Sequence, residues 1–285
     1  MKLLRYGRAG AERPAVLDAD GALRDASTLV PDWGPGQLSP DTLDRIRHTD
    51  WSRLPKVEGT PRLGCPVAQV GKLVGVGLNY EDHAIEAGLQ LPDEPILFMK
   101  AVTAICGPDD AIQIPPGASK VDWEVELGVV MGARTQRVSE GQALAQVAGY
   151  VLANDVSERA WQIERGGTWD KGKSHDTFAP LGPWLVTADE ITDPHDIALE
   201  LDVNGKRMQD SSTANLIAGI PKLISYISQF MTLEAGDVIL TGTPAGVGLG
   251  QKPAPVFLKA GDTMRLSAQG LGEQRHVCMD VFETR

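Results

Sequence analysis

Asp122-Trp123-Glu124-Val125-Glu126-Leu127-Gly128-Val129-Val130 is the stretch on which the reading of this chain turns. Residues two apart on a strand share a face, so Glu124 and Glu126 point together while Trp123, Val125 and Leu127 point the opposite way. Such a pair is either the solvated face of an amphipathic strand or, if buried, two like charges in need of a cation or a shared proton. A third carboxylate, Asp155, closes the apolar run Val151-Leu152-Ala153-Asn154, and sites are commonly built where strands run out into loops. Three carboxylates without a Cys or His cluster point to a hard ion, Mg²⁺ or Mn²⁺, rather than zinc. About three of its six positions would stay open for water and substrate.

The strand is expected over Val121–Met131, and outward from it short apolar runs predict further strands at Lys72–Leu78, Ile96–Lys100, Gly149–Asn154, Trp184–Thr187, Ile197–Val203, Val238–Leu240 and Thr263–Ser267. Asn204-Gly205 is a two-residue hairpin signal. Helices are expected over Glu140–Gln146, part of Val156–Gly166, and Ile220–Phe230, and strands and helices do not alternate as a doubly wound sheet demands. Gly 31 and Pro 19 against 5% aromatics agree with many tight turns. The predicted class is α+β, mainly β. Residues 1–66 read as a small unit of their own, with a hairpin around Asp18-Ala19-Asp20-Gly21, a helix capped by Ser39 with Pro40 in its first turn, and a Pro/Gly-spaced linker from Leu54 to Pro66. Residues 67–285 read as the larger, site-bearing domain.

Over 285 residues, 42% hydrophobic content excludes disorder as a description of the whole, and a net charge of −11 disfavours nucleic acid and anionic membranes as partners. No apolar run approaches a membrane span, and Met1–Gly7 lacks the apolar core of an export signal. Three isolated cysteines, without CxxC spacing, suit a reducing compartment, so the cytoplasm is the expected location.

Two further features suggest chemistry. His83 and Glu86 lie three apart in a short helix expected with Asn79 near its N-cap and Gly88 at its C-terminal stop, and are either a general-base pair or a common exposed His–Glu contact. Thr241-Gly242-Thr243-Pro244-Ala245-Gly246-Val247-Gly248 follows an apolar strand and offers hydroxyls and backbone amides that suit a carboxylate or phosphate. It has neither the lysine of a Walker A loop nor a following helix.

Together, Gly77-Leu78-Asn79-Tyr80-x-x-His83-x-x-Glu86, Phe98-Met99-Lys100, Asp122-Trp123-Glu124-x-Glu126-Leu127, Asn154-Asp155-Val156-Ser157-x-Arg159-x-x-Gln162, Lys171-Gly172-Lys173-Ser174 and the 241–248 loop resemble the fumarylacetoacetate hydrolase family. The resemblance runs from about Val67 to the carboxyl terminus, and the residues before it resemble the small variable N-terminal domain of bacterial members. It implies a mixed β-roll, a homodimer, and one Mg²⁺ or Mn²⁺ per subunit held by Glu124, Glu126 and Asp155. It further implies a general-base dyad of His83 and Glu86 on a lid spanning Tyr80 to about Pro95, with Lys173 as the active-site lysine. Lys100, Arg159, Gln162, Gly242 and Thr243 match substrate-contacting positions, for a small keto-acid substrate. His175 stands where many members carry Phe, and either meets the hydroxyls of a sugar-derived substrate or fills the same space.

The bacterial subgroup that this chain resembles includes proteins labelled ureidoglycolate lyase and hydrolases of 2,4-diketo-3-deoxy-L-rhamnonate or -fuconate. The favoured expectation is carbon–carbon hydrolysis of such a diketo acid to pyruvate and lactate. The competing expectations are ureidoglycolate lyase, oxaloacetate decarboxylase, hydroxyhepta-dienedioate isomerase and, outside enzymes, a keto-acid binding protein.

Overall fold

A computed structural model describes residues 1–88 and 90–281, so Leu89 of the expected lid lies outside the described residues. The apolar runs of the sequence form the middle of a ten-stranded mixed sheet. Val125–Met131 lies between Val147–Asn154 and Val238–Leu240, antiparallel to both, with Val125 opposite Asn154. Leu73–Gly77 runs parallel to Val238–Leu240, and Ile96–Lys100 closes that edge. Val125–Met131 and Val147–Asn154 are buried at every position. Strands covered on both faces need apolar side chains throughout, hence continuous runs rather than alternation.

On the other flank, Leu185–Thr187 pairs with Val147–Asn154 and with Lys2–Tyr6. Lys2–Tyr6, Arg13–Leu17 and Leu23–Asp25 therefore extend the same sheet, and the Met1 amine donates to Thr187 Oγ1 at 2.6 Å. The residues expected as a separate unit hydrogen-bond directly into the sheet. A second sheet takes the order Lys206–Ser212, Ala198–Val203, Thr263–Ala268, Gly272–Asp280 and Ile112–Ile114. Its first turn is Asn204-Gly205 with φ of 50° and 77°, the doubly left-handed turn this dipeptide favours. Helix Ile220–Phe230 buries one stripe, Ile220, Leu223, Ile224 and Ile227, each worth about 1.5–3 kcal/mol. The architecture is mixed and mainly β, as the sequence predicts.

Three local expectations are corrected. The strand expected over Val121–Met131 is broken at Trp123-Glu124, because the Asp122 carboxylate takes the Trp123, Gly248 and Leu249 amides and competes with the ladder. Glu140–Gln146 is one α-turn to Ala143 followed by a tighter turn through Gln146. Asn79 does not cap the 81–87 helix, which starts at Tyr80 without a side-chain cap. The Asn79 side chain bonds instead to the backbone of Ala218 and Thr241.

Candidate active site

The break before Val125 leaves the two glutamates convergent. Glu124 precedes the strand, yet its carbonyl still accepts from the Asp155 amide at 2.9 Å, so the ladder continues across the break and brings Asp155 level with it. One carboxylate oxygen from each of Glu124, Glu126 and Asp155 lies within 4.8 Å of the others, and all three residues are buried. The solvated-face alternative is thereby excluded.

Like charges this close require counter-charge, and it comes from elements distant in sequence. Lys173 Nζ donates to Glu124 Oε2 at 2.8 Å and Asp155 Oδ2 at 2.7 Å. Lys100 Nζ donates to Asp155 Oδ1 at 2.5 Å and to the Val156 carbonyl. Arg159 Nη1 meets Glu124 Oε1 at 2.7 Å, while its Nε donates to Asp122. Burial pushes the Glu124 carboxyl up, but Lys173 and Arg159 outweigh it and hold it at about 2. Burial lowers Lys100, helped by the neighbouring Lys173. Lys173 is raised, because Asp155 and Glu124 override the cost of burial.

Glu126 receives no such cation. Among the described residues its Oε2 accepts only the Gly242 amide, at 2.8 Å, and burial together with Asp155 and Glu124 drives its pKa well above the ordinary carboxylate value. Four buried carboxylates, counting Asp122, thus face three buried cations. An all-oxygen donor set with an excess of negative charge fits a hard cation such as Mg²⁺ or Mn²⁺.

His83 and Glu86 lie on the 81–87 helix. His83 Nδ1 is 3.5 Å from Glu86 Oε2 and is buried without a hydrogen-bond partner. Both Glu86 oxygens accept from the Gly246 amide, at 3.0 and 3.1 Å. A Cβ on Gly250 would stand 2.2 Å from Glu86 Cδ, so the carboxylate lies directly on that glycine.

These contacts correct the expectation for the glycine-rich loop. Its amides bind carboxylates, but those of the protein itself: Gly242 serves Glu126, Gly246 serves Glu86, and Gly248 and Leu249 serve Asp122. The loop couples the carboxylate triad, the His83–Glu86 pair and the Asp122–Arg159 contact.

His83, Glu86, Glu124, Glu126, Arg159, Gln162, Lys173 and Thr243 all line one cavity of about 570 Å³. Asp155 lies behind its wall. Three residues expected to contact substrate do not line it. Lys100 is spent on Asp155, and Gly242 on Glu126. The His175 ring lies 5.2 Å from that of Phe178 and 6.5 Å from that of Trp161, with Nδ1 at the Asp176 carbonyl. Gln162 accepts from Arg159 Nη1, and Thr243 donates to the Val125 carbonyl and accepts from Gln209.

Two residues escaped the sequence reading. Asp122, fully buried, takes four donors and fixes Arg159. The signal was present, since Asp122, Glu124 and Glu126 are spaced by two. Gln209, 84 residues from the Val125 amide it accepts from, carried none.

Residues 72–278 match the family described as fumarylacetoacetate (FAA) hydrolase C-terminal. A curated Burkholderia ambifaria protein bearing the provisional name of hydrolase is 57% identical over 274 residues, covering 96% of this chain and 97% of that one. Fumarylacetoacetate hydrolase from Exiguobacterium antarcticum superposes with a TM-score of 0.83 at 35% identity, over 99% of this chain and 100% of that one. Maleylpyruvate hydrolase from Sphingobium sp. SYK-6, solved with manganese(II) and pyruvate, gives 0.81 at 28% over the same shares. The 2-hydroxyhepta-2,4-diene-1,7-dioate isomerase from Mycobacterium marinum gives 0.73 at 32% over all of both chains. With a carboxylate triad, a His–Glu pair and a buried lysine gathered at one cavity, and with this coverage, the chain belongs to the fumarylacetoacetate hydrolase family.

Proposed function

We propose that this enzyme is a hydrolase of the acylpyruvate type, which cleaves the C3–C4 bond of a 2,4-diketo acid to release pyruvate and a carboxylic acid. The observation that carries the reading is a His–Glu pair sharing one cavity with a buried carboxylate triad. Glu124, Glu126 and Asp155 would hold one Mg²⁺ or Mn²⁺, which when bound supplies a Lewis acid to the 2-oxo acid end of the substrate.

The remaining work falls to groups of the chain. With Nδ1 turned to Glu86, His83 has Nε2 left to take a proton from water, and the Glu86 charge supports the imidazolium that results. The water oxygen bonds to C4, the C3–C4 electron pair passes into the pyruvate portion, and C3 takes up a proton to become a methyl group. Arg159 Nη2 is buried and unpartnered, so it is a donor left over for a substrate oxygen. Lys173, fixed between Glu124 and Asp155, holds positive charge at the cavity wall where oxygen anion develops. Of the two roles expected for His175, the ring's place against Phe178 and Trp161 supports filling space over meeting sugar hydroxyls.

The test is product identity with metal-loaded enzyme. Pyruvate from 2,4-diketo acids, lost in His83→Ala, is the expected result. Glyoxylate from ureidoglycolate, carbon dioxide from oxaloacetate, or isomerisation of a hydroxydienedioate, each without pyruvate from any diketo acid, would replace this reading.

A further inference from the structure

The strand Ile96–Lys100 brings Phe98 to the cavity wall, buried and paired with Gly75 across the sheet. A Cβ on Gly75 would stand 2.1 Å from the Phe98 Cζ and 2.4 and 2.6 Å from its two Cε atoms. The bare glycine therefore lets the ring lie flat across the neighbouring strand. Trp169 packs beside it in the same manner. Its ring centroid is 5.4 Å from that of Phe98, and its Cζ3 is 2.3 Å from where a Cβ on Gly77 would stand. Both rings line the cavity together with Lys173.

Lys173 Nζ stands over the Phe98 ring, 5.0 Å from its centroid. An ammonium has three hydrogens to donate, and two of them go to Glu124 and Asp155. Among the described residues no oxygen or nitrogen takes the third. An aromatic ring carries negative charge on its faces and attracts a cation, more strongly when both are out of water, as here. The strand and the lysine are also fixed to one another. The Met99 amide donates to Asp170 Oδ1 at 3.1 Å and the Ala101 amide to Ser174 Oγ at 2.9 Å, at either end of the Asp170–Lys173 turn. Glu124 and Asp155 belong to the triad and would also serve a cation, whereas the ring has Lys173 alone to serve.

We infer that Phe98 is a positioning residue for Lys173, holding the ammonium at the cavity wall through the charge of its ring and not by filling space alone. This deepens the proposed hydrolysis and rests on it for what the held charge does. The contact itself stands apart from any reaction.

Fluorination tests it, because fluorine withdraws charge from the ring faces while keeping the ring's shape and making it slightly more apolar. Phenylalanine bearing one, two or three fluorines is placed at position 98 of the full chain, beside Phe98→Leu. The first readout is denaturant unfolding without metal. A role through ring charge predicts an unfolding constant that rises stepwise with each fluorine, by about tenfold over the series. A packing role predicts no change, or a fall as the ring becomes more apolar. The second readout is turnover of a diketo acid by the Mn²⁺-loaded chain. There kcat should drop stepwise, by about tenfold over the series, with KM within about twofold. Phe98→Leu should lose at least as much kcat as the trifluoro variant. Stability and kcat that ignore the fluorines, with Phe98→Leu alone impaired, overturn the proposal. Stability that falls stepwise while kcat holds also overturns it, since the ring would then stabilise Lys173 without positioning it for turnover. If stability falls stepwise and no diketo acid yields pyruvate in any variant or the wild type, the hold of Phe98 on Lys173 stands and the hydrolysis reading falls.

Discussion

Gly250→Ala isolates the coupling between the glycine-rich loop and the base pair. The added Cβ would stand 2.2 Å from Glu86 Cδ and 2.5 Å from both Cγ and Oε1. Gly250 is outside the set of glycines with left-handed φ, so alanine suits its backbone, and the three atoms nearest the added Cβ all belong to Glu86. The clash is therefore relieved by swinging the Glu86 carboxylate aside. That breaks its bond to the Gly246 amide and takes the charge away from His83 Nδ1. A hydrogen bond to a charged group is worth about 1.5–3 kcal/mol, and each ~1.4 kcal/mol is tenfold in rate. If that energy serves to hold the base pair in place, kcat should drop about 10- to 100-fold. Metal affinity should not change, because no triad atom is among those nearest the added Cβ, and stability should fall by no more than about 1.5–3 kcal/mol, the worth of the broken hydrogen bond. The assay is kcat on a diketo acid beside a calorimetric Mn²⁺ titration and a thermal melt. A folded variant with kcat within twofold of wild type would refute the argument that the loop holds the dyad.

His83→Ala should lose about 10²- to 10⁴-fold in kcat and keep its Mn²⁺ titration, whereas Glu124→Ala should lose metal and turnover together; a His83→Ala enzyme of normal kcat would remove the dyad from the mechanism. Burial beside Asp155 and Glu124 raises Glu126 and so favours its protonated form, which metal binding would have to displace. Metal affinity should therefore rise with pH up to that pKa, by about tenfold per unit, with a proton released on binding. Titrations at several pH values in buffers of unequal ionisation enthalpy report that proton, and identical heats throughout would contradict it. Lys100→Met removes a buried partner of Asp155, so the metal-free protein should lose about 3–5 kcal/mol in denaturant unfolding and regain part of it with Mn²⁺. Amide exchange over residues 80–88 and 90–95 should slow when oxalate is added with metal, and unchanged protection would argue against a lid there.

The sequence by itself determined the mainly β class, the strands at the centre of the sheet, the Asn204-Gly205 hairpin and the carboxylate triad. These are written at short range: apolar runs, a two-residue turn whose φ values few other pairs accept, and acids spaced by two. What only the tertiary structure decided lies in contacts between distant segments. Lys173 and Glu124 are 49 residues apart, Gly242 and Glu126 116, and Gly246 and Glu86 160. Local spacing says that a glycine-rich loop can bind an anion, but it cannot say whose. Here the loop's amides are filled by Glu126, Glu86 and Asp122, because buried carboxylates must find donors wherever the fold supplies them. The same necessity draws Lys100 away from the cavity and onto Asp155, while His175, free of any such demand, settles against Phe178.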